Sequence, residues 1–449
     1  MFSRQRGAAL LILALIIGFV TAALLFNRFS VRNLELAREA RTTAALAEAK
    51  AALLGFAVSF EAGNTGRYAF LPCTETDLTF KNEGSPRGNC GETHVNSIGR
   101  LPWRGLKSPP LRDGEKECLW YAVSGSYKNS GSSAPKMLNA DSPGQFEIVT
   151  QDGTLLAGST PENRAVAVIF SPGGVTGTQN RAPLQGTDSC PGNYSAANYL
   201  ETLNGMNNAS VNPNPDRIDR FILANQTGTF NDKLIFITRD EVFSKLIRHG
   251  DFQNKMNMLT EKIAKCIASY GNTSGLPWAA PLALSDYRVN INYESDARSP
   301  SGLTRGRVPY RQVSLAGARE IRTVSTVIIS RDCGNLSDGD IALWENWKDH
   351  FFYARTANVP CVGLGCFTVN GGSDYYVAIV FFAGISLGES QPRRAPPFDT
   401  DTKRNVANYL EGRNRSNLDG SGLNFESGSS ATFNDTLYCI SASFSATAC

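Results

Sequence analysis

Hydrophobic positions change their spacing within the first sixty residues. From Ala8 to Phe26 the chain is apolar and carries no charge, which is long enough to cross a bilayer core of ~30 Å. After Asn27, apolar residues recur at steps of three and four, as an amphipathic helix requires; they include Val31, Leu34, Ala37, Ala44, Ala47, Ala51, Leu54 and Val58. With no proline in this stretch, the pattern predicts one helix over residues 8–60, roughly 80 Å long.

The residues before the apolar stretch predict its orientation. Arg4 and Arg6 lie in a basic leader, residues 1–7, which keeps the N-terminus cytoplasmic and sends the rest of the chain across the membrane. Val20-Thr21-Ala22 offers an alternative, a secretory cleavage site that would leave a chain starting at Ala23. Because the apolar run continues past this site to Phe26, the pattern favours an anchor over a cleaved signal.

Three segments recur in order in the second half of the chain. Val166–Phe170 is echoed 211 residues later, Ala197–Glu201 210 residues later and Thr229–Asp232 203 residues later. Ordered matches at a nearly constant separation indicate an internal repeat. We therefore predict an α+β fold in which the long N-terminal helix is followed by two tandem units of a helix plus an antiparallel sheet, a first unit (61–237) and a second unit (238–449).

Local patterns place elements within the two units. Thr238 and Glu241 form a capping-box pattern that opens a helix in the second unit, with a break at Gly250. Short β-rich runs bounded by Gly, Ser, Asn and Pro predict strands over 146–150, 165–170, 233–237, 324–330, 375–382 and 436–440. A weaker match pairs Cys118–Ala122 with His350–Ala354.

Cysteine usage predicts an oxidising compartment. All ten cysteines follow the apolar segment, and behind an export signal an even set is typical of disulfides; they are Cys73, Cys90, Cys118, Cys190, Cys266, Cys333, Cys361, Cys366, Cys439 and Cys449. Buried free thiols are the alternative, and the pairing stays open. A net charge of +3 without a basic, aromatic-rich stripe argues against nucleic acid as a partner.

Motifs for catalysis are absent from the sequence. The three histidines, His94, His249 and His350, lie beside no second ligand or nucleophile motif, and there is no Gly-x-Ser-x-Gly, Walker or His-Glu-x-x-His pattern. We therefore expect a protein that is not an enzyme and has no cofactor. The loop holding Asn417, Asp419 and Asn424 raises a calcium hypothesis, although Arg415 would occupy the first ligand position of an EF-hand.

The N-terminus resembles those of type IV pilins and of the pseudopilins of type II secretion. The resemblance covers fifty to sixty residues and rests on the basic leader ending in Gly7, the apolar helix and its amphipathic extension. In that family a membrane peptidase cuts after the glycine, which implies cleavage after Gly7 and methylation of Ala8. The fifth mature residue is usually Glu, and here it is Ile12.

The missing glutamate narrows the expected role. In pilin-like filaments the buried glutamate is thought to pair with the terminal amine of the next subunit, and Ile12 offers no such partner. The resemblance therefore implies a minor subunit with an assembly or tip role, anchored once in a bacterial inner membrane with its bulk in the periplasm or on the cell surface. Its partners would be the membrane and other pilin or pseudopilin subunits. The alternative is a signal-anchored extracytoplasmic binding protein or adhesin that stays outside any filament.

Overall fold

The computed structural model describes residues 5–75, 82–130, 137–182, 189–248, 251–295, 302–316, 321–359, 361, 363–388, 391–393 and 400–449. Within these ranges the side chains are described except at 5–13, 19–31, 248, 314–316, 321–325, 364 and 400.

Helices open the chain and recur in its second half. They are α1 (Gln5–Ser59), α2 (Arg239–Arg248), α3 (Asp251–Ser274), α4 (Asp338–Trp347), α5 (Thr400–Arg404) and α6 (Gly412–Asp419). The predicted long N-terminal helix is confirmed as one element of 55 residues. It continues into a 3-10 turn, Phe60–Gly63.

Strands are short throughout. In the first unit they are β1 (Ser97–Arg100), β2 (Trp120–Val123), β3 (Phe146–Thr150), β4 (Leu155–Ala157), β5 (Ala165–Ser171), β6 (Thr202–Leu203), β7 (Met206–Asn207), β8 (Asp219–Leu223) and β9 (Lys233–Thr238). In the second they are β10 (Arg305–Arg307), β11 (Arg311–Ala316), β12 (Ile321–Val327), β13 (Phe351–Arg355), β14 (Thr368–Val369), β15 (Ala378–Phe382), β16 (Asn424–Phe425), β17 (Thr436–Ile440) and β18 (Ala446–Ala448).

Each unit packs one helix on a mainly antiparallel sheet. In the first, the buried stripe of α1 (Leu46, Ala49, Leu53 and Ala57) faces β5 and β9. In the second, α3 packs its own buried stripe on β15, β17 and β18; that stripe contains Met256, Leu259, Ile263 and Ile267.

The two sheets share a strand order and a register. Four antiparallel strands run β1-β2-β5-β9 in the first unit and β10-β13-β15-β17 in the second. Trp120 lies opposite Phe170, and Phe352 lies opposite Phe381. The next strand continues the correspondence, because Phe170 faces Leu234 as Phe381 faces Leu437. The segments matched in sequence therefore occupy equivalent strands.

One hydrophobic core runs through both units. It includes residues of α1, the first sheet, α2, α3 and the second sheet. Trp347 of the second unit lies 5.0 Å from Phe252 and 6.2 Å from Phe243, measured between ring centroids. These aromatic contacts add to the area they bury and tie α2, α3 and α4 together.

The described side chains of α1 that precede Thr42 are exposed and lie outside this core. Leu15, Ile16 and Ile17 are 52–54% exposed, which is unusual for large aliphatic side chains on a helix that faces water. By length and composition, α1 can span a membrane, and the part that meets this test is Arg32–Gly63. Part of this segment also packs in the hydrophobic core. A core helix or a signal sequence would meet the same test of length and composition.

The predictions from local sequence patterns were confirmed in part. The capping box is confirmed: Thr238 N donates to Glu241 Oε2 over 2.9 Å, and Glu241 N donates to Thr238 Oγ1 over 3.3 Å. Strands β3 and β17 have the predicted bounds, but β12 begins and ends three residues earlier than predicted and β15 starts three residues later. The break at Gly250 lies outside the described residues.

Candidate functional site

Five ionisable side chains are buried together where the two units join. We call them the interface cluster: Asp141 from the first unit, and Asp349, His350, Arg393 and Lys403 from the second. Charged groups this deeply buried require partners, because removing them from water costs several kcal/mol per ion. Their contacts therefore define the site.

Local elements fix the position of each member. Ser337 caps α4 through its Oγ, which accepts from Asp340 N, and the helix ends at Trp347. A 3-10 turn, Lys348–His350, then carries the cluster residues into β13. On the first unit, Asn139 Oδ1 accepts from Asp141 N over 3.0 Å and holds the turn that presents Asp141.

His350 lies at the centre of the cluster. Its Nδ1 is 3.1 Å from the backbone oxygen of Ala383, and its Nε2 is 3.0 Å from Asp141 Oδ2. Despite that distance, neither Nε2 nor Oδ2 has a partner in hydrogen-bond geometry. Trp347 and Tyr409 pack around the imidazole at centroid distances of 4.9 and 5.5 Å, which excludes water from the ring.

Asp349 is held from two sides. Asn139 Nδ2 donates to its Oδ1 over 2.8 Å, and Lys403 Nζ pairs with its Oδ2. The Oδ1 atom also lies 3.9 Å from His350 Nε2. Asn139 thus connects the backbone of Asp141 in the first unit to the carboxylate of Asp349 in the second.

The charges in the cluster stabilise one another. Burial alone would raise the pKa of Asp141, but the positive charges of His350, Arg393 and Lys403 outweigh it, so this pKa lies below its ordinary value. The pKa of Asp349 is lowered for the same reason, against burial, chiefly by Lys403 and then by His350. Both carboxylates are therefore ionised at neutral pH.

A cavity of about 860 Å³ adjoins the cluster between the units. Its wall includes Asp141 and Ser159 of the first unit, and Arg239, Ser386 and Arg393 of the second. The lining carries both signs of charge together with hydroxyl groups, so it favours no single class of ligand. It does give the buried cluster a route to solvent.

A second polar network occurs once in each unit. In the first, Arg181 donates to the backbone oxygens of Asn198, Tyr199 and Gly173 and to Gln179 Oε1. Arg393 makes the equivalent contacts in the second unit, with Asn408, Tyr409, Gly384 and Gln391. Each guanidinium also lies 4.9 Å from the ring of the tyrosine, Tyr199 or Tyr409. The repeated Ala-Asn-Tyr-Leu-Glu motif is thus the frame of a buried arginine site.

Each network ends in a pair of carboxyl groups. Glu201 N donates to Asp232 Oδ2 over 2.9 Å, and Glu411 N donates to Asp435 Oδ2 over 3.1 Å. Burial, followed by the charge of the neighbouring glutamate, raises the pKa of Asp232 and of Asp435 well above the ordinary 3.8. The Asn-Asp motifs therefore do more than shape a turn, because they bury a carboxyl group beside a second one.

The two units differ just before strands β2 and β13. Cys118 occupies the position equivalent to His350 and forms a disulfide with Cys190. The buried arginines Arg100 and Arg307 lie at equivalent positions of β1 and β10, opposite Trp120 and Phe352. A covalent bond in one unit thus corresponds to the ionic cluster in the other.

The predicted disulfides form. All ten cysteines are paired, and each bond joins residues of the same unit; the pairs are Cys73–Cys90, Cys118–Cys190, Cys266–Cys333, Cys361–Cys366 and Cys439–Cys449. The sequence predicted disulfides but left their connectivity open.

Other predicted residues lie apart from the cluster. Gly7, Ala8 and Ile12 are within α1, and their side chains lie outside the described residues. Asn417 Nδ2 donates to Asn424 O over 2.6 Å, and Asn424 Oδ1 accepts from Gly371 N over 2.9 Å. Asn417 and Asp419 thus lie in the last turns of α6 and Asn424 in β16, rather than together in one loop. Asp419 is exposed, and calcium binding there stays a prediction.

The sequence interpretation missed the interface cluster. The sequence shows no second ligand beside His350, whereas the folded chain buries this side chain between charged groups; His94 is partly buried, and His249 lies outside the described residues. A usable signal was present. Gln179 and Arg181 recur as Gln391 and Arg393, 212 residues later, and the weak match around Cys118 already pointed to His350.

Comparisons with known proteins add no identity to this geometry. No protein-family model, curated protein or solved structure matches the chain.

Proposed function

We propose that this chain is a membrane-anchored minor subunit of a pilin-like filament, of the kind built by type IV pili or type II secretion, with an assembly or tip role. The observation that carries the proposal is α1 itself. One helix of 55 residues packs its C-terminal half on the first sheet and extends an apolar N-terminal half beyond the core.

The exposed apolar side chains support an anchor. Leu15, Ile16 and Ile17 each gain about 1.5–3 kcal/mol when fully removed from water. Lipid or the helices of neighbouring subunits would supply that burial. Ile12 replaces the glutamate that pairs with a neighbouring subunit in major pilins, and this favours a minor position.

The disulfides of the two units support a location outside the cytoplasm. All ten cysteines form disulfides, which persist in oxidising compartments such as the bacterial periplasm. Two units joined by one core make a bulky projection on a single stem. Such a head suits a filament tip better than a subunit repeated along a thin fibre.

The mature N-terminus tests the proposal. Intact-mass and peptide mass spectrometry of the membrane-extracted chain should show a methylated Ala8 as the first residue. Gly7→Glu should abolish this cleavage, whereas Gly18→Ala, a change in the same apolar helix with open space around the site, should leave it intact. A chain that keeps Met1, or one that starts at Ala23, would contradict the proposal.

The cavity favours a second candidate, a signal-anchored extracytoplasmic binding protein. Its about 860 Å³ lies between the units and has polar groups from both. For that role we expect the chain to keep Met1 and to be absent from sheared filament fractions, with Gly7→Glu leaving surface presentation unchanged. Co-purification of the wild-type chain with filaments would exclude it.

A further inference from the structure

We propose that the interface cluster binds a divalent transition-metal ion, with Zn²⁺ as the expected occupant. Asp141, Asp349 and His350 would be its protein ligands. The ion would join the first unit to the second. This inference is independent of the filament role, because it concerns only the buried contact between the two units.

The positions of the ligand atoms suit a small ion. Within the described part of the chain, these three residues each offer one ligand atom, and the atoms all lie within 4.8 Å of one another. Nε2 of His350 is 3.0 Å from Asp141 Oδ2 and 3.9 Å from Asp349 Oδ1. Tetrahedral zinc with bonds of about 2.0–2.1 Å places its ligand atoms about 3.4 Å apart. The two distances from His350 Nε2 lie on either side of this value.

Two buried atoms face each other where an ion would sit. His350 Nε2 and Asp141 Oδ2 are 3.0 Å apart inside the protein but outside hydrogen-bond geometry. On the other side of the ring, Nδ1 lies 3.1 Å from the carbonyl oxygen of Ala383 and 3.4 Å from Arg393 Nη1. In the tautomer that donates to the carbonyl, the Nε2 lone pair is directed at the carboxylate of Asp141. Metal-bound histidines commonly donate their second ring N–H to a carbonyl in this way.

Neighbouring groups orient the second carboxylate without occupying it fully. Lys403 pairs with Oδ2 of Asp349, and Asn139 donates to Oδ1, which has a further lone pair for an ion. The donor set selects the ion: an imidazole with two carboxylate oxygens suits Zn²⁺, whereas Ca²⁺ takes six to eight oxygen ligands.

The adjoining cavity marks the side from which an ion and a fourth ligand would enter. Asp141 and Arg393 belong to the cluster and line the cavity of about 860 Å³, whereas Asp349 and His350 are fully buried behind them. A water molecule entering from the cavity would complete the set of three protein ligands, which is a common coordination for accessible zinc sites.

Metal analysis of the full chain in detergent tests the proposal. The protein is stripped with chelator, incubated with ZnCl₂, desalted and measured by inductively coupled plasma mass spectrometry. We expect one zinc per wild-type chain and a loss of at least tenfold in affinity for Asp141→Asn and His350→Gln. His94→Gln is the matched control, because His94 also lies beside an aspartate, Asp216, at 3.5 Å; it should bind as wild type does.

A spectroscopic measurement covers the case in which a variant fails to fold. Co²⁺ added to the stripped wild-type chain should give visible absorption typical of a four-coordinate site, and Zn²⁺ should remove it. Zinc should also raise the melting temperature of the wild type and of His94→Gln, but not that of Asp141→Asn. A wild-type chain that retains no zinc and shows no cobalt absorption would overturn the proposal, as would equal binding by all variants.

Discussion

The two units share the arginine–tyrosine–carboxyl network, but they differ in the three residues that come shortly before β2 and β13. In the first, Lys116–Cys118 precedes β2, its lysine is exposed and its cysteine forms a disulfide with Cys190. In the second, Lys348–His350 precedes β13 and all three side chains are buried. The matching register of the strands makes these positions equivalent.

This difference shows which unit provides most of the buried charges at the junction between the two. The disulfide of the first unit stays within that unit, whereas the buried charges of the second reach Asp141 and Asn139 across the junction. A disulfide lowers the conformational entropy of the unfolded chain, whereas a buried ion cluster favours one arrangement of the folded units. Four changes test this comparison.

The largest effect should come from removing the disulfide beside the first network. Cys118 and Cys190 are 72 residues apart, so replacing both with Ala should lower the free energy of unfolding by about 4 kcal/mol through loop entropy. The same change at Cys361 and Cys366, 5 residues apart, should cost about 2 kcal/mol. Urea unfolding of the oxidised proteins measures both; an equal loss would contradict the expectation.

The next effect compares two histidine–aspartate pairs. Asp141→Ala leaves the buried His350, Lys403 and Arg393 without a counter-charge, and in chelator-treated protein it should cost about 3 kcal/mol. Asp216→Ala removes a more exposed pair with His94 and should cost below about 1 kcal/mol. Thermal and urea unfolding would show it; similar losses for the two variants would mean that burial of the cluster adds nothing.

A smaller effect should appear in the dependence of stability on pH. Burial lowers the pKa of Lys348 from 10.5 to about 8. Between these values the unfolded chain binds more protons than the folded one, so the free energy of unfolding should rise with pH, and this gain is lost as the pH falls through about 8. From pH 8 to 9.5 the rise should be about 2 kcal/mol.

Matched lysine variants isolate that contribution. Lys348→Met should flatten the rise between pH 8 and 9.5, whereas Lys116→Met, at the equivalent exposed position, should keep it. Urea unfolding at each pH gives the slopes. If both variants kept the wild-type slope, Lys348 would be ruled out as its source.

Sequence patterns predicted the elements whose cause is local. The long helix follows from an unbroken 3.6-residue pattern, and the start of α2 follows from the Thr238–Glu241 capping box, so both could be read directly. Strands β2 and β13 were not predicted, because no Gly, Ser, Asn or Pro directly precedes either run to mark its start. The repeat was visible because the buried network requires the same residues twice.

The interface cluster depends on contacts that no local pattern records. Asp141 and His350 are more than two hundred residues apart, and Lys403 comes from a separate short helix. Each alone is an ordinary polar residue. Only the packing of the two units brings them together, and the buried stripe of α3 that supports this packing fits many arrangements.

The smallest expected effect asks whether the shared network is equally important in both units. Gln391 Nε2 donates to Glu411 Oε1 over 2.7 Å, and Gln179 donates to Glu201 over the same distance. Gln391 is 7% exposed, whereas Gln179 is half-buried. Gln391→Ala should therefore cost about 2 kcal/mol and Gln179→Ala about 1 kcal/mol, since the loss of a hydrogen bond costs more where water cannot replace it.

The larger loss of stability expected for Gln391→Ala has a structural reason. Gln391 Oε1 accepts from Arg393, whose guanidinium also lies 3.4 Å from His350 Nδ1, so a change at Gln391 reaches the interface cluster. Gln179 has no such neighbour, because Cys118 takes the place of the histidine. Urea unfolding compares the two with Gln253→Ala, an exposed change on α3 expected to be near neutral. Equal losses would show that the network does not act through the interface cluster.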